Sequence, residues 1–209
     1  MPERSGSGMG LSQQRRAELL IQYENGAIES VKLPIAVGRA LKIKKRKGIE
    51  VNSRSDLLAC VSELQKSCAK DRMLRLLERR DHSKNEVDRR LLADGYPSFA
   101  REYAIGLGEQ YDFLNDERFA GAFAVTKLSA GWGLNKIEFE LSRRGVDTSC
   151  ISGWPEAFVD VDGEYARALD LATKKHVCEP NAYAKLTRFL LGRGYSYGIA
   201  KRAAKEALS

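Results

Sequence analysis

The sequence predicts a mainly α-helical protein: three tandem three-helix repeats, preceded by a small mixed module with a β-hairpin or short sheet and one helix. Helical periodicity runs from about residue 70 to residue 209, and one glycine-terminated segment recurs three times in that span. Two strand-like runs separated by a turn signal occupy residues 18–33. We expect a flexible tail at 1–17, the mixed module at 18–69, and repeats at 70–110, 111–159 and 160–209.

The predicted hairpin rests on its turn. Asn25 and Gly26 separate two runs rich in aliphatic residues, and this dipeptide is a strong short-range signal for a β-hairpin. Pro34 closes the second run, because proline has no N–H to donate to a strand ladder. A further short strand-like run covers residues 48–52. The module is therefore expected to hold two or three strands.

The module's one helix is predicted to begin after a serine. Ser53 or Ser55 can accept a hydrogen bond from the free N–H groups of the first turn. Aliphatic residues then recur at helical spacing up to about Cys68. A separate leucine-rich helix is expected over residues 69–80, at the start of the first repeat.

The internal repeat is carried by three segments that align without gaps, residues 83–96, 133–146 and 182–195, at spacings of 50 and 49 residues. In each, an aliphatic residue is followed four positions later by a leucine, so both lie on one helix face. Four positions further comes a glycine and then an apolar residue, the pattern of a helix that ends in a left-handed glycine. The three glycines are Gly95, Gly145 and Gly194.

Two helix starts carry recognisable capping patterns. Ser83 and Glu86 fit a capping box, in which each side chain accepts from the other residue's backbone N–H. Asn115 is expected to cap the next repeat's first helix, with Leu114 and Phe119 as a hydrophobic staple. Asp116 and Glu117 follow directly, and adjacent helical residues point apart, so capping explains this acidic pair better than acid–base catalysis.

The positive charge is concentrated near the start of the chain. Residues 1–70 hold 13 Lys/Arg against 7 Asp/Glu, whereas the remainder is nearly balanced at 22 against 21. Such a cluster attracts phosphates or an acidic protein surface, although it can equally be a solvated face. The candidate DNA-phosphate-binding residues are Arg39, Lys42, Lys44, Lys45, Arg46 and Lys47.

Features of enzymes, metal sites and membrane proteins are lacking in the sequence. There is no phosphate-binding Gly-x-x-x-x-Gly-Lys-Ser/Thr loop and no Gly-x-Ser-x-Gly elbow, so we expect no catalytic residue and no cofactor. The cysteines show no close pair of the zinc-ligand type, which predicts reduced, partly buried thiols and no metal. No apolar run is long enough to span a membrane, and residues 1–10 do not resemble a signal peptide, so a cytoplasmic location is expected. The four cysteines are Cys60, Cys68, Cys150 and Cys178.

Four segments of the chain carry a family resemblance: Leu76–Ser83, Phe113–Ala120, Gly133–Val146 and Phe189–Tyr197. Together they resemble the RecX family, whose members regulate the bacterial recombinase RecA. The resemblance covers about residues 70–209, while the N-terminal module resembles one found in a subset of the family. It implies three helical repeats in a curved rod that binds the recombinase filament without catalysis of its own. The second repeat departs in being acidic, with 5 basic and 7 acidic residues in 111–159, and is thus a poor phosphate-binding surface.

The resemblance implies a regulator, most simply an inhibitor, of filament extension, ATP hydrolysis and strand exchange in recombination, DNA repair and SOS control. We expect a monomer that binds the RecA filament on DNA, with weak direct binding to single- or double-stranded DNA. A DNA-binding protein that acts without the recombinase is the main alternative, and a purely structural adaptor is a third. For each basic side chain, a solvated charge without a partner is the competing interpretation. The candidate recombinase contacts are Arg89, Arg90, Arg143, Arg144, Arg188, Arg193, Lys201, Arg202 and Lys205.

Overall fold

The computed structural model describes residues 16–48, 53–177 and 180–209. The predicted tail therefore lies outside the described residues as far as residue 15, as do residues 49–52 of the predicted third strand-like run. The chain divides into two compact units: one runs up to Arg80 and adds Val87–Phe113, and the other combines Asp81–Glu86 with Leu114–Ser209. Within the described part of the chain, helices dominate and one two-stranded sheet precedes them.

The hairpin is confirmed. Strands β1 (Arg16–Gln22) and β2 (Ile28–Pro34) pair antiparallel, with Leu19 opposite Val31. Gly26 adopts a left-handed φ of 81° in the connecting turn, a conformation that suits glycine because it has no Cβ. Strand β1 begins at Arg16, two residues earlier than predicted, so the last two residues of the expected tail are part of the sheet.

The expectation of one helix in the N-terminal module is wrong, because helix α1 (Ile35–Arg46) follows β2 directly. Its apolar side is short: Val37 is fully buried, and a Cβ added at Gly38 would lie 2.5 Å from the Cβ of Ala17 on β1. The helix thus depends on close packing against the hairpin. Five of its twelve residues are lysine or arginine, so the sequence analysis interpreted the segment as a basic cluster rather than as a packed helix.

Helix α2 (Arg54–Leu77) is continuous, although two separate helices were predicted over this stretch. The predicted cap is confirmed, since Ser53 Oγ accepts from Asp56 N at 3.1 Å. No glycine or proline lies between the two predicted helices to interrupt the backbone. Arg54 also donates to both carboxylate oxygens of Glu29 on β2, at 2.9 and 2.7 Å, and this contact lowers the pKa of Glu29 to about 2.

The three repeats contain the predicted helices with one exception. The first comprises the end of α2, α3 (Lys84–Asp94) and α4 (Ser98–Gln110); the third comprises α7 (Val161–Lys174), α8 (Ala182–Arg193) and α9 (Tyr197–Glu206). In the second, α5 (Asp116–Ser129) and α6 (Leu134–Arg143) are followed only by a 3-10 turn at Thr148–Cys150. The third helix expected from the three-helix repeat is therefore absent here, and residues 151–158 form turns instead. Gly153, with a φ of 70°, and Pro155 account for its absence.

The three repeat glycines end their helices in the same way, as predicted. Gly95, Gly145 and Gly194 have φ values of 91°, 74° and 93°. In each case the N–H of the following apolar residue bonds the carbonyl of the leucine four residues before the glycine, over 3.1, 3.0 and 3.2 Å. The glycine N–H bonds the next carbonyl, completing a Schellman motif. The apolar residues Tyr96, Val146 and Tyr195 are all buried as a result.

Candidate binding surfaces

The start of helix α3 packs against the end of helix α6, at what we call the first junction (residues 83–86 with 116 and 144–145). Ser83 Oγ donates to the carbonyl oxygen of Arg144 over 2.7 Å, and the Ser83 side chain is fully buried. The carboxylate of Asp116 accepts from the backbone N–H of Lys84 at 2.9 Å, where helix α3 begins. A carboxylate at this position complements the positive end of the helix dipole.

The start of helix α6 meets the end of helix α8 in the same way, at the second junction (residues 133–136 with 164 and 193–194). The N–H of Gly133 donates to the carbonyl oxygen of Arg193 over 2.9 Å. Glu164, buried on helix α7, accepts from the backbone N–H of Leu134 at 3.2 Å. The recurring helix ends therefore serve as the packing sites between neighbouring helices of this unit.

These junctions change the interpretation of two candidate arginines. Arg144 and Arg193 were expected to be exposed, and both are half-buried. Arg144 forms an ion pair with Glu86 and lies 5.1 Å from the ring centroid of Phe123. Arg193 donates to the carbonyl of Ala130 at 3.3 Å. Both guanidinium groups are engaged within the fold, which the sequence pattern did not predict.

His82 is buried beside the first junction. Its Nδ1 lies 3.0 Å from a carboxylate oxygen of Glu86. The amide N–H of Glu86 bonds Ser83 Oγ at 3.1 Å, which is one half of the predicted capping box. The histidine thus helps to fix the carboxylate that also receives Arg144.

Four of the predicted recombinase contacts are exposed on the second helices of their repeats: Arg89 and Arg90 on α3, Arg143 on α6 and Arg188 on α8. Arg89 and Arg188 hold the same position in the aligned segments, and the second repeat places Phe139 there. The side chain of Phe139 is 66% exposed, so a large apolar ring faces solvent one turn before Arg143. Sequence reasoning missed this ring, although the alignment of the repeats already marks its position.

All six candidate phosphate-binding residues are exposed, and together they cover the outer side and end of α1. Arg39, Lys42 and Arg46 recur at helical spacing and share one face. Lys44, Lys45 and Lys47 add charge at the last turn, where cations favourably meet the negative end of the helix dipole. A cavity of about 470 Å³, with Leu19, Leu33 and Leu41 in its lining, adjoins this face.

The last predicted contacts, Lys201, Arg202 and Lys205, are exposed on α9. The structure brings two tyrosines next to them, Tyr183 from α8 and Tyr197 from α9 itself. Tyr183 lies 18 positions before Lys201 in the chain, so the sequence alone does not place this ring beside the basic residues. Only the packing of α8 on α9 places the rings and charges together.

In the part of the chain that the structure describes, the thiols and acidic groups show no arrangement for metal binding. Cys60, Cys68 and Cys150 are free and partly buried, as predicted, while Cys178 lies outside the described residues. Burial raises the pKa of the Cys68 and Cys150 thiols, which keeps them protonated and poor metal ligands. Among the residues that the structure describes, no three His, Cys, Asp or Glu side chains converge on one point.

Three domain models of the RecX family match the chain in order. The first three-helix domain matches residues 69–106, the second 115–152 and the third 162–204. The chain belongs to the RecX family. The regulatory protein RecX of Clostridium botulinum (strain Alaska E43 / Type E3) is 34% identical over 143 residues, 65% of this chain and 66% of its own length. The chain thus spans just under two thirds of that relative.

Another relative is matched over more of its length. The regulatory protein RecX of Vibrio vulnificus is 33% identical over 136 residues, 63% of this chain and 86% of its own. The crystal structure of RecX from Lactobacillus salivarius superposes with a TM-score of 0.58 at 21% identity, over 68% of this chain and 96% of that one. A second crystal structure, of regulatory protein RecX, superposes with a TM-score of 0.61 at 19% identity. The superposition covers 92% of this chain and 95% of the chain in that crystal structure.

Membership of the RecX family agrees with the fold of the chain, which is built of packed helices. The three RecX domains coincide with the three helical repeats, and the hairpin and α1 precede the first of them. Among the helices in the described part of the chain, none combines the length and apolar character needed to cross a membrane.

Proposed function

We propose that this protein binds the filament of the recombinase RecA on DNA and inhibits filament extension, ATP hydrolysis and strand exchange. RecX relatives are named as regulators, and the chain carries all three of their helical domains. The observation that carries the proposal is an exposed anchor on the middle repeat: Phe139, with Arg143 one turn away and Arg188 on the next repeat. Aromatic and arginine side chains supply most of the binding energy in protein interfaces.

The anchor is suited to a protein rather than to a nucleic acid. The second repeat carries more acidic than basic residues, and Glu140 lies beside Phe139 and receives Arg143 at 2.8 Å. A surface of mixed charge repels a phosphate backbone about as much as it attracts it, whereas an apolar ring with a polar surround resembles the centre of a protein interface. In the first repeat, the exposed Arg89 and Arg90 on α3 are the proposed contacts with the same protein partner.

The basic face of α1 is assigned a separate task in this proposal. Its six cations would give salt-sensitive attraction to DNA phosphates, while the repeats hold the protein partner. Neutralising Lys44, Lys45, Arg46 and Lys47 together should weaken binding to bare DNA and flatten its salt dependence by up to a few units of slope. Inhibition of the filament at moderate salt should largely persist.

The direct test is DNA-dependent ATP hydrolysis by the recombinase from the same organism, titrated with this chain. We expect suppression at substoichiometric amounts, and no ATP hydrolysis by the chain alone. The double variant Phe139→Ala/Arg188→Glu should need at least tenfold more protein for half-inhibition, because it removes the ring and reverses one charge of the anchor. Intrinsic ATP hydrolysis that survives rigorous purification would contradict the non-enzymatic role.

A matched control separates the anchor from general effects on charge and folding. Tyr111→Ala/Lys174→Glu removes a similarly exposed ring and reverses another exposed charge, at positions outside the proposed contacts. It should inhibit like the natural protein. If both double variants inhibit normally while the α1 variant does not, the basic helix is the effector and the anchor is wrongly assigned.

A further inference from the structure

A small cavity of about 230 Å³ lies where the start of helix α1 meets α2 and the end of α3. Pockets for drug-sized ligands have volumes of about 300–1,000 Å³, so this space suits a small group. Its lining includes three arginines and one carboxylate, an excess of two positive charges. The charged and polar side chains of this lining are Arg39, Arg72, Arg75, Asp94 and Tyr96, and we call the space the arginine cavity.

The three arginines of the arginine cavity are held in different ways. The Arg72 Nε donates to a carboxylate oxygen of Asp94 over 2.7 Å, so this pair forms a fixed part of the wall. Arg39 and Arg75 are exposed, and neither forms an ion pair with any residue that the structure describes. Two unpaired guanidinium groups at one concave space attract an anion, and each can donate more than one hydrogen bond to it.

The hydroxyl of Tyr96 supplies a second and independent observation. Tyr96 is only 3% exposed, yet its hydroxyl has no hydrogen-bond partner among the residues that the structure describes. A buried tyrosine hydroxyl usually has one, and the equivalent Tyr195 of the third repeat donates to the carbonyl of Gly131 over 3.4 Å. Burial raises the pKa of Tyr96 above its ordinary value, so the hydroxyl keeps its proton. It can therefore donate to an anion in the arginine cavity.

The first turn of α1 adds to the attraction. No side chain in the described part of the chain caps this helix, and no acidic residue lies in its first turn. The first N–H groups of a helix have no partner within it, and the helix dipole places partial positive charge beside them. Pro34, Ile35 and Ala36 bring this helix start into the wall of the arginine cavity. Anions bind readily at such a position.

Among small anions, a phosphate group with two charges matches the arginine cavity best. A phosphate monoester carries about −1.5 to −2 charges at pH 7, which balances the excess of two positive charges. Its oxygens point in tetrahedral directions, and the donors here come from three elements: Arg39 from α1, Arg75 from α2 and Tyr96 from the segment after α3. A carboxylate is planar and carries one charge, and each phosphodiester of a nucleic acid also carries only one.

We propose that the arginine cavity binds the dianionic phosphate group of a small molecule, with Arg39, Arg75 and the Tyr96 hydroxyl as its donors. The bound group links α1 to α2 and to the end of α3. This site goes beyond the proposed inhibition of the filament, because it requires neither recombinase nor DNA. Arg39 also belongs to the basic face of α1, whereas Arg75 and Tyr96 do not, so the test uses the latter two.

The first experiment measures how inorganic phosphate stabilises the full chain. Thermal unfolding is followed by circular dichroism in a phosphate-free buffer, with phosphate added at constant ionic strength. A ligand that binds only the folded state raises Tm with its concentration, and this dependence gives Kd. Arg75→Gln and Tyr96→Phe should each raise the Kd for phosphate about tenfold, because each removes a hydrogen bond to a charged acceptor.

Two control variants are matched to these changes. Tyr195→Phe removes a buried hydroxyl at the equivalent position of the third repeat, and Arg79→Gln removes an exposed arginine outside the arginine cavity. Both should keep the natural Kd for phosphate. Without phosphate, Tyr96→Phe should be at least as stable as the natural protein, because it removes a buried polar group that has no partner. A hydroxyl with only a structural role would give the opposite pattern, a less stable free protein and an unchanged Kd.

The choice of anion separates a dianionic phosphate from other ligands. Phosphoserine and inorganic phosphate present the same group, and the tighter of the two shows whether the site favours an ester or free phosphate. Acetate and dimethyl phosphate carry one charge each and should bind at least about tenfold more weakly. The affinity for phosphoserine should rise as the pH increases through about 6, where its phosphate loses the second proton. Tyr96→Phe should bind bare DNA like the natural protein.

Hydrogen–deuterium exchange locates the bound phosphate. We expect it to slow exchange in the first turn of α1 and in α2 around Arg75. The inference is overturned if phosphate does not raise Tm, if Arg75→Gln and Tyr96→Phe keep the natural Kd, if dimethyl phosphate binds equally well, or if the protection maps elsewhere. These measurements include no recombinase, so they leave the proposed inhibition of the filament to its own test. Conversely, loss of inhibition in the Phe139 variant says nothing against phosphate binding here.

Discussion

The two helix junctions of the second unit use equivalent positions but different chemical groups. At the first, the Ser83 hydroxyl reaches the carbonyl of Arg144, and the Asn85 side chain lies against Gly145. At the second, the backbone N–H of Gly133 reaches the carbonyl of Arg193, and Gly133 itself lies against Gly194. One junction is closed by side chains and the other by the backbone.

This difference determines what each position requires. Ser83 supplies a hydroxyl, so its substitution removes a chemical group from a buried site. The N–H of Gly133 is common to every residue except proline, and the requirement at that position is space. We therefore expect the second junction to be intolerant of added volume, and the first to be sensitive mainly to lost hydrogen bonds.

The largest effect is expected for Gly133→Ala. A Cβ there would lie 2.5 Å from the C and O atoms of Gly194 and from the N of Tyr195, and these backbone atoms cannot rotate away. The backbone of Gly133, at φ −83° and ψ 163°, suits any residue, so only the close contact disfavours alanine. We expect the free energy of unfolding, measured in urea, to fall by about 3 kcal/mol.

Gly121→Ala is the matched control for this change. Gly121 lies inside helix α5 with nothing within 4 Å of an added Cβ, so alanine should raise stability by up to about 1 kcal/mol through its better helix propensity. Equal stabilities for the two variants would show that the second junction opens easily, contrary to the close packing seen at its backbone.

An intermediate and graded effect is expected when the three helix-ending glycines are replaced by alanine. All three share a left-handed φ, which costs alanine about 1–2 kcal/mol. Their surroundings differ: an added Cβ meets the backbone of Lys136 at Gly194, the side chain of Asn85 at Gly145, and the mobile end of Arg16 at Gly95. The loss of stability should therefore decrease from Gly194→Ala to Gly145→Ala to Gly95→Ala. Thermal unfolding of the three variants gives the order, and equal losses would assign the whole cost to the backbone angle.

The contrast between local signals and contacts of distant residues shows how far the sequence alone could predict the fold. The repeat glycines and the Asn25 turn are local signals, because each depends on a few consecutive residues, and both are confirmed. Helix α1 was missed because its formation depends on the approach of Gly38 to Ala17, 21 residues earlier in the chain. Five of its twelve residues are charged, and the sequence analysis interpreted them as a basic cluster.

Prediction of the candidate surfaces from sequence was limited by the same physical cause. That Arg143 and Arg188 are exposed follows from their place on amphipathic helices. The burial of Arg144 depends on Glu86, 58 residues before it, and no local pattern encodes that distance. The meeting of Tyr183 with Tyr197 depends on how α8 packs on α9. Contacts between helices were therefore the part that required the structure.

The smallest effect concerns the carboxylates at the two junctions. Asp116 and Glu164 each accept from a backbone N–H at the start of a neighbouring helix, over 2.9 and 3.2 Å. Asp116→Asn and Glu164→Gln keep an acceptor oxygen and remove the charge, so each should cost about 0.3–1 kcal/mol through the helix dipole.

Salt distinguishes the two carboxylates. The Asp116 side chain is partly exposed and also lies 3.8 Å from the Lys84 Nζ, so the cost of Asp116→Asn should shrink when urea unfolding is repeated in 1 M NaCl. Glu164 is buried, and solvent ions screen its interaction with the start of α6 less effectively. The cost of Glu164→Gln should therefore persist at high salt. If both costs vanish together, the charge of Glu164 acts through solvent, and the second junction is held by Gly133 and its close packing alone.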